Sequence, residues 1–307
     1  MKILFHGYEK LPDRHIGWGD AFMYLYACYL EGKRKGYKDK EIYIVFPRIG
    51  YDPRHVDNIK ENSGFYQPTK YLPWNNYSRV KIIEEEEWDE LVDTSEIGSL
   101  YPSFPGINRT GWYIYIYFDI YKYITGNIPH LDLPKTHKGK PYILFHYRGD
   151  RVGAFHKERE TPINEFDYIF NIIKEHLGDK YEYWKIGEIS DIDDKFDKVI
   201  PYMYGDLDGF MELLCNSSML VGSHAGPSTA ALLIKDLPVI RFGMIDEYNT
   251  LNPRILRKEI KLDFILKKYG IDYTPSYDYG NHLSALKGNL PKKKDILELM
   301  ERFNLWK

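Results

Sequence analysis

Short apolar runs alternate along this chain with longer stretches in which apolar residues recur every three or four positions. Ile3-Leu4-Phe5 ends in His6-Gly7, as a buried parallel strand does before its loop. A loop through Pro12 then leads to Gly17-Trp18-Gly19-Asp20, and Ala21 to Leu30 follow with helical spacing. Ile42 to Phe46, closed by Pro47, predicts a second strand, and Val80 to Ile83 a third. Trp112 to Ile124 reads as a helix closed by Gly126, although Tyr113, Tyr115 and Tyr117 alternate as in a strand. From Ile128 to Pro141 the chain turns polar and is punctuated by prolines, the composition of an interdomain linker.

The second half restarts the pattern. Tyr142 to Phe145 predicts a strand, Ile163 to Leu177 a helix and Tyr181 to Ile186 a strand. Gly209 to Cys215 predicts a helix, Met219 to Val221 a strand, Pro227 to Ile234 a helix and Val239 to Phe242 a strand. Lys294 to Asn304 closes the chain with Ile296, Leu297, Leu299 and Met300 on helical spacing. Such alternation predicts an α/β fold with parallel sheets covered on both faces. The linker divides it into an N-terminal domain of residues 1–135 and a C-terminal domain of residues 136–307, with the last helix expected to pack back on the first domain.

A length of 307 residues suits two domains, each large enough for its own core. Lys and Arg number 42 against 45 Asp and Glu, a net charge of −3, so the basic excess of a nucleic-acid binder is missing. Lys33 to Lys35, Lys292 to Lys294 and the acidic run Glu84 to Glu87 read as solvated surface. With only Cys28 and Cys215, both in apolar helical runs, no disulfide framework is expected; a reducing, cytoplasmic setting fits. The N-terminus turns polar too early for a secretory signal. No stretch of about 18 apolar residues predicts a membrane span, which leaves only peripheral membrane contact open.

The richest chemistry lies where predicted strands end. Leu220-Val221 runs into Gly222-Ser223-His224-Ala225-Gly226-Pro227-Ser228-Thr229, small and hydroxyl residues at the start of a helix. Helix N-termini present free N–H groups and a partial positive charge, and small residues let a diphosphate approach that backbone. Ser223, Ser228 and Thr229 would add hydroxyls, and His224 a contact to phosphate or sugar oxygen. The plainer reading is an ordinary helix cap. His146 and Arg148, in Phe145-His146-Tyr147-Arg148-Gly149-Asp150, also follow a strand, and ligands of open parallel sheets bind beyond the strands' carboxyl ends. The planar fork of an Arg suits a phosphate, and Lys157 and Arg159 extend the cationic supply. Gly187 and Glu188, after Trp184-Lys185-Ile186, would suit a base or ribose, or a plain strand-to-loop transition. Asp20 follows Gly17, Trp18 and Gly19 at a helix start, where a carboxylate serves equally as a cap or as a general base. Phosphate-loop and dinucleotide fingerprints are missing from the sequence, as are His-Glu-x-x-His and paired cysteines, so no metal and no cofactor is expected.

Together these residues resemble the glycosyltransferases of the GT-B fold, and within them the ADP-heptose:lipopolysaccharide heptosyltransferase family, over most of the chain. That family opens with a strand and a Gly-x-Gly-Asp loop whose Asp is the catalytic base, the place of Gly17 to Asp20 here. Its donor turn corresponds to Gly222 to Thr229, followed by Leu237-Pro238-Val239-Ile240-Arg241-Phe242-Gly243. Ser223-His224-Ala225-Gly226 replaces the family's Asp-Thr-Gly, and Thr229 stands where its His falls. His146-Tyr147-Arg148-Gly149-Asp150 is similar to the His-x-Arg-x-Gly-Asp signature of GDP-fucose fucosyltransferases, one residue shorter. The resemblance implies two Rossmann-like domains facing a cleft, an acceptor domain carrying Asp20 and Gly17 to Gly19, and a donor domain. The activity implied is an inverting, metal-independent transfer of sugar from a nucleotide-diphosphate donor to a glycan or glycolipid hydroxyl. A nucleotide-sugar epimerase or hydrolase of the same fold, and a non-catalytic two-lobed binding protein, are the alternatives.

Overall fold

The structure is a computed structural model, and it describes residues 2–6, 18–45, 79–83, 90–98, 121, 125–127, 130–147, 162–187, 192–200, 207–223, 226–244, 282–286 and 289–306. The chain divides into two compact units. The first takes in Met1–Pro129, with Tyr204–Asp208 and Thr250–Tyr277; the second takes in His130–Met203, Gly209–Asn249 and Asp278–Lys307.

In the first unit, β1 (Lys2–His6), β2 (Glu41–Val45), β3 (Arg79–Ile83) and β4 (Glu96–Gly98) form a parallel sheet in the order β3-β2-β1-β4. Helix α1 (Trp18–Lys35) connects β1 to β2. It starts earlier than its spacing predicts, so Trp18, Gly19 and Asp20 are helical and not part of the preceding loop. Its end follows its chemistry: Gly36 takes a left-handed φ of 70°, its N–H reaches the Lys33 carbonyl, and exposed Lys33 to Lys35 face the negative helix terminus. Leu25, Tyr26, Ala27, Cys28 and Leu30 of the helix are buried, as are Ile3, Ile42 and Ile44 of the strands. Most of the helix expected at Trp112 to Ile124 lies outside the described residues; Tyr121 is helical, and the Thr125 hydroxyl donates to its carbonyl.

In the second unit, β5 (Tyr142–His146), β6 (Glu182–Ile186), β7 (Lys198–Ile200), β8 (Met219–Ser223), β9 (Val239–Met244) and β10 (His282–Leu286) form a parallel sheet. Its order is β10-β9-β8-β5-β6-β7. Successive strands step outward from β5 to β7, and then the chain returns to β5's other side and steps outward again. Right-handed crossovers taken in opposite directions place their helices on opposite faces.

One face is covered by α2 (Ile163–Leu177) and α5 (Lys293–Arg302). Ile143, Phe145, Tyr183, Met219, Val221, Ile240 and Phe242 of the strands meet Phe166, Ile169, Phe170 and Ile173 of α2 there. Phe145 is ringed by Phe166, Phe170, Tyr183 and Phe196, with centroids 5.2–6.4 Å away. Helix α2 ends where Gly178 turns left-handed and its N–H bonds the Lys174 carbonyl. The C-terminal helix contributes Ile296, Leu299 and Met300 to this same core. Its apolar face thus joins the second unit's own core.

The other face belongs to α3 (Leu207–Asn216) and α4 (Gly226–Ala231), which lie on the opposing crossovers. The segment 130–141, linker-like in composition, is fastened along the second unit. Leu131 is buried, its N–H bonding the Leu233 carbonyl and its carbonyl accepting from Lys235. The Asn216 carboxamide oxygen accepts from both Thr136 and His137 N–H, at 2.6 and 2.8 Å.

Cys28 and Cys215 are buried free thiols, and burial pushes the Cys215 thiol up to about 12. The folded state thus holds a proton that the unfolded chain releases near the ordinary thiol value of 9.0. This contribution to stability is present below that pH and is lost as pH rises toward about 12. Alkylation of Cys215 at mildly alkaline pH should be far slower in the native chain than in urea, as mass spectrometry of the tryptic fragments would show. Phe145→Ala should lower the unfolding free energy of the second unit by about 3–5 kcal/mol in urea titrations.

Candidate functional site

Each sheet reverses its strand order once, at β1 in the first unit and at β5 in the second. At such a reversal the loops leaving two neighbouring strands depart toward opposite faces and open a crevice at the carboxyl edge, where α/β folds bind ligands. In the second unit the crevice lies between β5 and β8. Their last paired residues are His146 and Gly222, partners across the ladder. The two stretches that sequence marks as richest in chemistry therefore leave the sheet side by side.

The strand-to-helix turn after β8 is tightly held. Ser223 and Ser228 are fully buried, and the Ser228 hydroxyl donates to the Ser223 carbonyl at 3.0 Å. That bond engages the Ser228 hydroxyl in the turn itself, fixing the main chain as α4 begins at Gly226. Helix α4 stops at Ala231, short of the Ile234 its spacing predicts. Leu232 to Asp236 turn, Asp236 adopts a left-handed φ of 61°, and Ile234 pairs with Leu131 as an isolated bridge. The axial dipole of so short a helix is correspondingly small, which places more weight on individual N–H groups and cations.

His146 is fully buried and forms the floor of the crevice. Gly222 packs close beside it: a Cβ there would sit 3.1 Å from the His146 Cβ, tight enough that His146 would have to give by a few tenths of an ångström, and 3.4 Å from its carbonyl oxygen. Next along the sheet, Gly187 ends β6 with a φ of 138°, a backbone region kept for glycine, and donates its N–H to the Ile200 carbonyl. Buried Lys185 pairs with Asp193, and Lys195 with Asp167 of α2, which ties the turn at 193–195 to β6 and α2.

In the first unit, Gly19 and Asp20 lie in the first turn of α1. The helix ends only five residues before β2 begins, and its 18 residues extend about 27 Å. Its start is therefore at the carboxyl edge of the sheet, by the β1–β4 reversal. For Trp18, Asp20 and Thr229 the backbone alone is described. Gly17, Arg148, Lys157, Arg159, Glu188, His224 and Ala225 lie outside the described residues.

One polar residue at the second crevice escapes a reading of sequence: Arg241 of β9, 1% exposed and in register with Gly222. A single cation inside an apolar strand carries no motif. The signal available was its interruption of the run Val239-Ile240-Arg241-Phe242. Among the described residues, no group of three or more His, Cys, Asp or Glu could hold a metal ion, and no helix is long and apolar enough to cross a membrane.

No family model matches the chain, and no curated protein matches it. Among solved structures, the chain is similar to the E. coli heptosyltransferase WaaC with ADP, at 14% identity over 99% of this chain and 100% of that one, TM-score 0.44. It is similar to the E. coli ADP-heptose lps heptosyltransferase II, at 13% identity over 99% and 98% of the two chains, TM-score 0.46. It is also similar to a glycosyl transferase family 9 protein from Veillonella parvula, at 12% identity over 98% and 96%, TM-score 0.39.

Gly222→Ala should force His146 and the end of β5 aside and cost about 1–3 kcal/mol. Differential scanning calorimetry should record a lowered melting temperature, with Gly222→Val lower still.

Proposed function

We propose that the chain is an inverting, metal-independent glycosyltransferase built of two Rossmann-like domains, moving a sugar from a nucleotide-diphosphate donor to a glycan or glycolipid hydroxyl. The observation that carries the reading is the reversal of strand order at β5, with His146 and the Gly222–Ser223 strand end facing each other across it. A diphosphate in that crevice would meet the N–H groups of Gly226, Ser228 and Thr229, on a turn that the buried Ser228 hydroxyl helps to hold. In this reading Arg148, Lys157 and Arg159 would supply cations, and His224 and Ala225 further donor contacts. Gly187 and Glu188, after β6, take the base or ribose.

In the proposed single displacement, Asp20 removes the acceptor hydroxyl proton. The freed oxygen pair forms a bond to the anomeric carbon on the face opposite the leaving group. The bond from that carbon to the phosphate oxygen breaks, and its electron pair departs on the diphosphate. Fixed donors that stabilise this developing charge lower the barrier without reorganising during the step. Asp20 belongs to the first unit, so the reading assigns the acceptor and Gly17 to Gly19 to that domain and the donor to the second. Two buried free thiols accord with a cytoplasmic setting.

A thermal-shift screen with ADP-, GDP-, UDP- and CDP-sugars should find at least one that raises the melting temperature, since a ligand binding only the native state stabilises it. With that donor, Asp20→Asn should keep donor affinity and lose about 10²–10⁴-fold in turnover. Unchanged transfer by Asp20→Asn would contradict the base assignment. Conversion of labelled donor without an acceptor would identify an epimerase or hydrolase instead.

A further inference from the structure

A buried ion pair stands on the aromatic face of the second sheet. Lys185 of β6 is 0% exposed, and pairing sets it level with Phe145 of β5 and Val199 of β7. Side chains alternate along a strand, so Lys185 shares the core face with Tyr183, two residues before it. Its ammonium donates to the Asp193 carboxylate. Asp193 opens the short turn Asp193–Lys195 on the connection from β6 to β7, and at 22% exposure its side chain stays within reach of water.

The returning part of that connection is fastened along the same strand by other means. Ile192 is buried, and the Phe196 ring packs on Phe145, Phe166 and Phe170. The Asp197 carboxylate accepts the Tyr183 N–H at 2.8 Å, and the Tyr183 carbonyl accepts the Asp197 N–H at 2.9 Å. Replacing a buried ion pair by apolar residues of similar volume is often neutral or stabilising, so attachment alone does not call for a lysine at 185. Apolar contacts are non-directional, whereas an ammonium and a carboxylate meet at a narrow range of geometries. What Lys185 adds is precision, and it adds it two residues before Gly187, whose N–H bonds the Ile200 carbonyl at 3.1 Å at the carboxyl end of β6.

Resting on the glycosyltransferase reading above, in which the end of β6 takes the base or ribose, we infer that Lys185 is a positioning residue for the nucleoside half of the donor. Its pair with Asp193 fixes the end of β6, and with it Gly187, against the turn at 193–195. Its side chain lies in the core and touches no ligand. The diphosphate half belongs to the β5–β8 gap, on the other side of β5 from β6, and does not depend on this pair. The ligand class served is a nucleoside diphosphate, and the quantity tuned is the affinity that the nucleoside adds to bare pyrophosphate.

The test is calorimetric titration of the full chain with inorganic pyrophosphate, ADP and GDP, comparing wild type with Lys185→Met and using circular dichroism to establish folding. Lys185→Met takes the charge out of the core and leaves a carboxylate that water can reach. It should raise the dissociation constant of the tighter nucleoside diphosphate by about tenfold, because small misplacements of a contact are costly. That of pyrophosphate should stay within about twofold of wild type, as for independent sites. Should Lys185→Met fail to fold, Asp193→Asn, which keeps an oxygen opposite the ammonium and weakens the pair, must show the same one-sided loss at about threefold or more. Where wild type holds a nucleoside diphosphate but no measurable pyrophosphate, the ratio of ADP to GDP affinity decides: it must move toward one in the variant. Equal loss of both ligands, loss of neither, or an unchanged ratio would overturn the inference while leaving the function standing. Wild type that binds neither pyrophosphate nor any nucleoside diphosphate would bring down both this inference and the function it rests on.

Discussion

A parallel sheet whose strand order reverses at β5 cannot close its own carboxyl edge. Helix α2, reached from β5, lies on one face of the sheet and α4, reached from β8, on the other, and a reversal of this kind opens a gap at the carboxyl edge between the two strands. The two faces then take different duties. One is filled by aromatic rings around Phe145, which fixes β5 in place. The other carries the row of His146, Gly222 and Arg241 immediately beneath the gap. The first unit repeats the device on a smaller scale at β1, with α1 beginning by the opening.

What borders the second gap is held by side-chain bonds, most of them between near neighbours in sequence. The Ser228 hydroxyl ties α4 to the end of β8. Lys185 and Lys195 anchor the short turn at 193–195 to β6 and α2. On the same unit, Asn216 clamps the backbone of 136 and 137, and Leu131 pairs with Ile234. These last two contacts join segments about 80 to 100 residues apart and tie the segment before β5 to the rest of the unit.

Much of this was legible from pattern alone, for physical reasons. Helix α2 was read to the residue because Phe166, Ile169, Phe170 and Ile173 repeat on one face and Pro162 and Gly178 bound it. The central strands were read to within a few residues because burial on both faces leaves an unbroken apolar run. Strands β4 and β7 have three residues each and β10 mixes His, Ser and Ala with its leucines, so none shows a run. Helix α4 was overextended because Leu232, Leu233 and Ile234 continue its apolar spacing, while their actual partner, Leu131, lies about a hundred positions away. The strapping of 130–141 was invisible for the same reason: proline and charge mark a segment without regular structure, but not whether distant side chains bond to it. Residue pairing across strands is what sets buried His146 against Gly222, and Gly222 against Arg241.

The claim most exposed to refutation is that the β5–β8 reversal holds a diphosphate. A crystal structure of the chain with ADP or GDP, whichever raises its melting temperature more, tests it directly. The phosphates should lie beyond the carboxyl ends of β5 and β8, within hydrogen-bond reach of the main chain of residues 226 to 229 and over the Gly222 position. Phosphates found at the amino-terminal edge of that sheet, or on the first unit, would contradict the account.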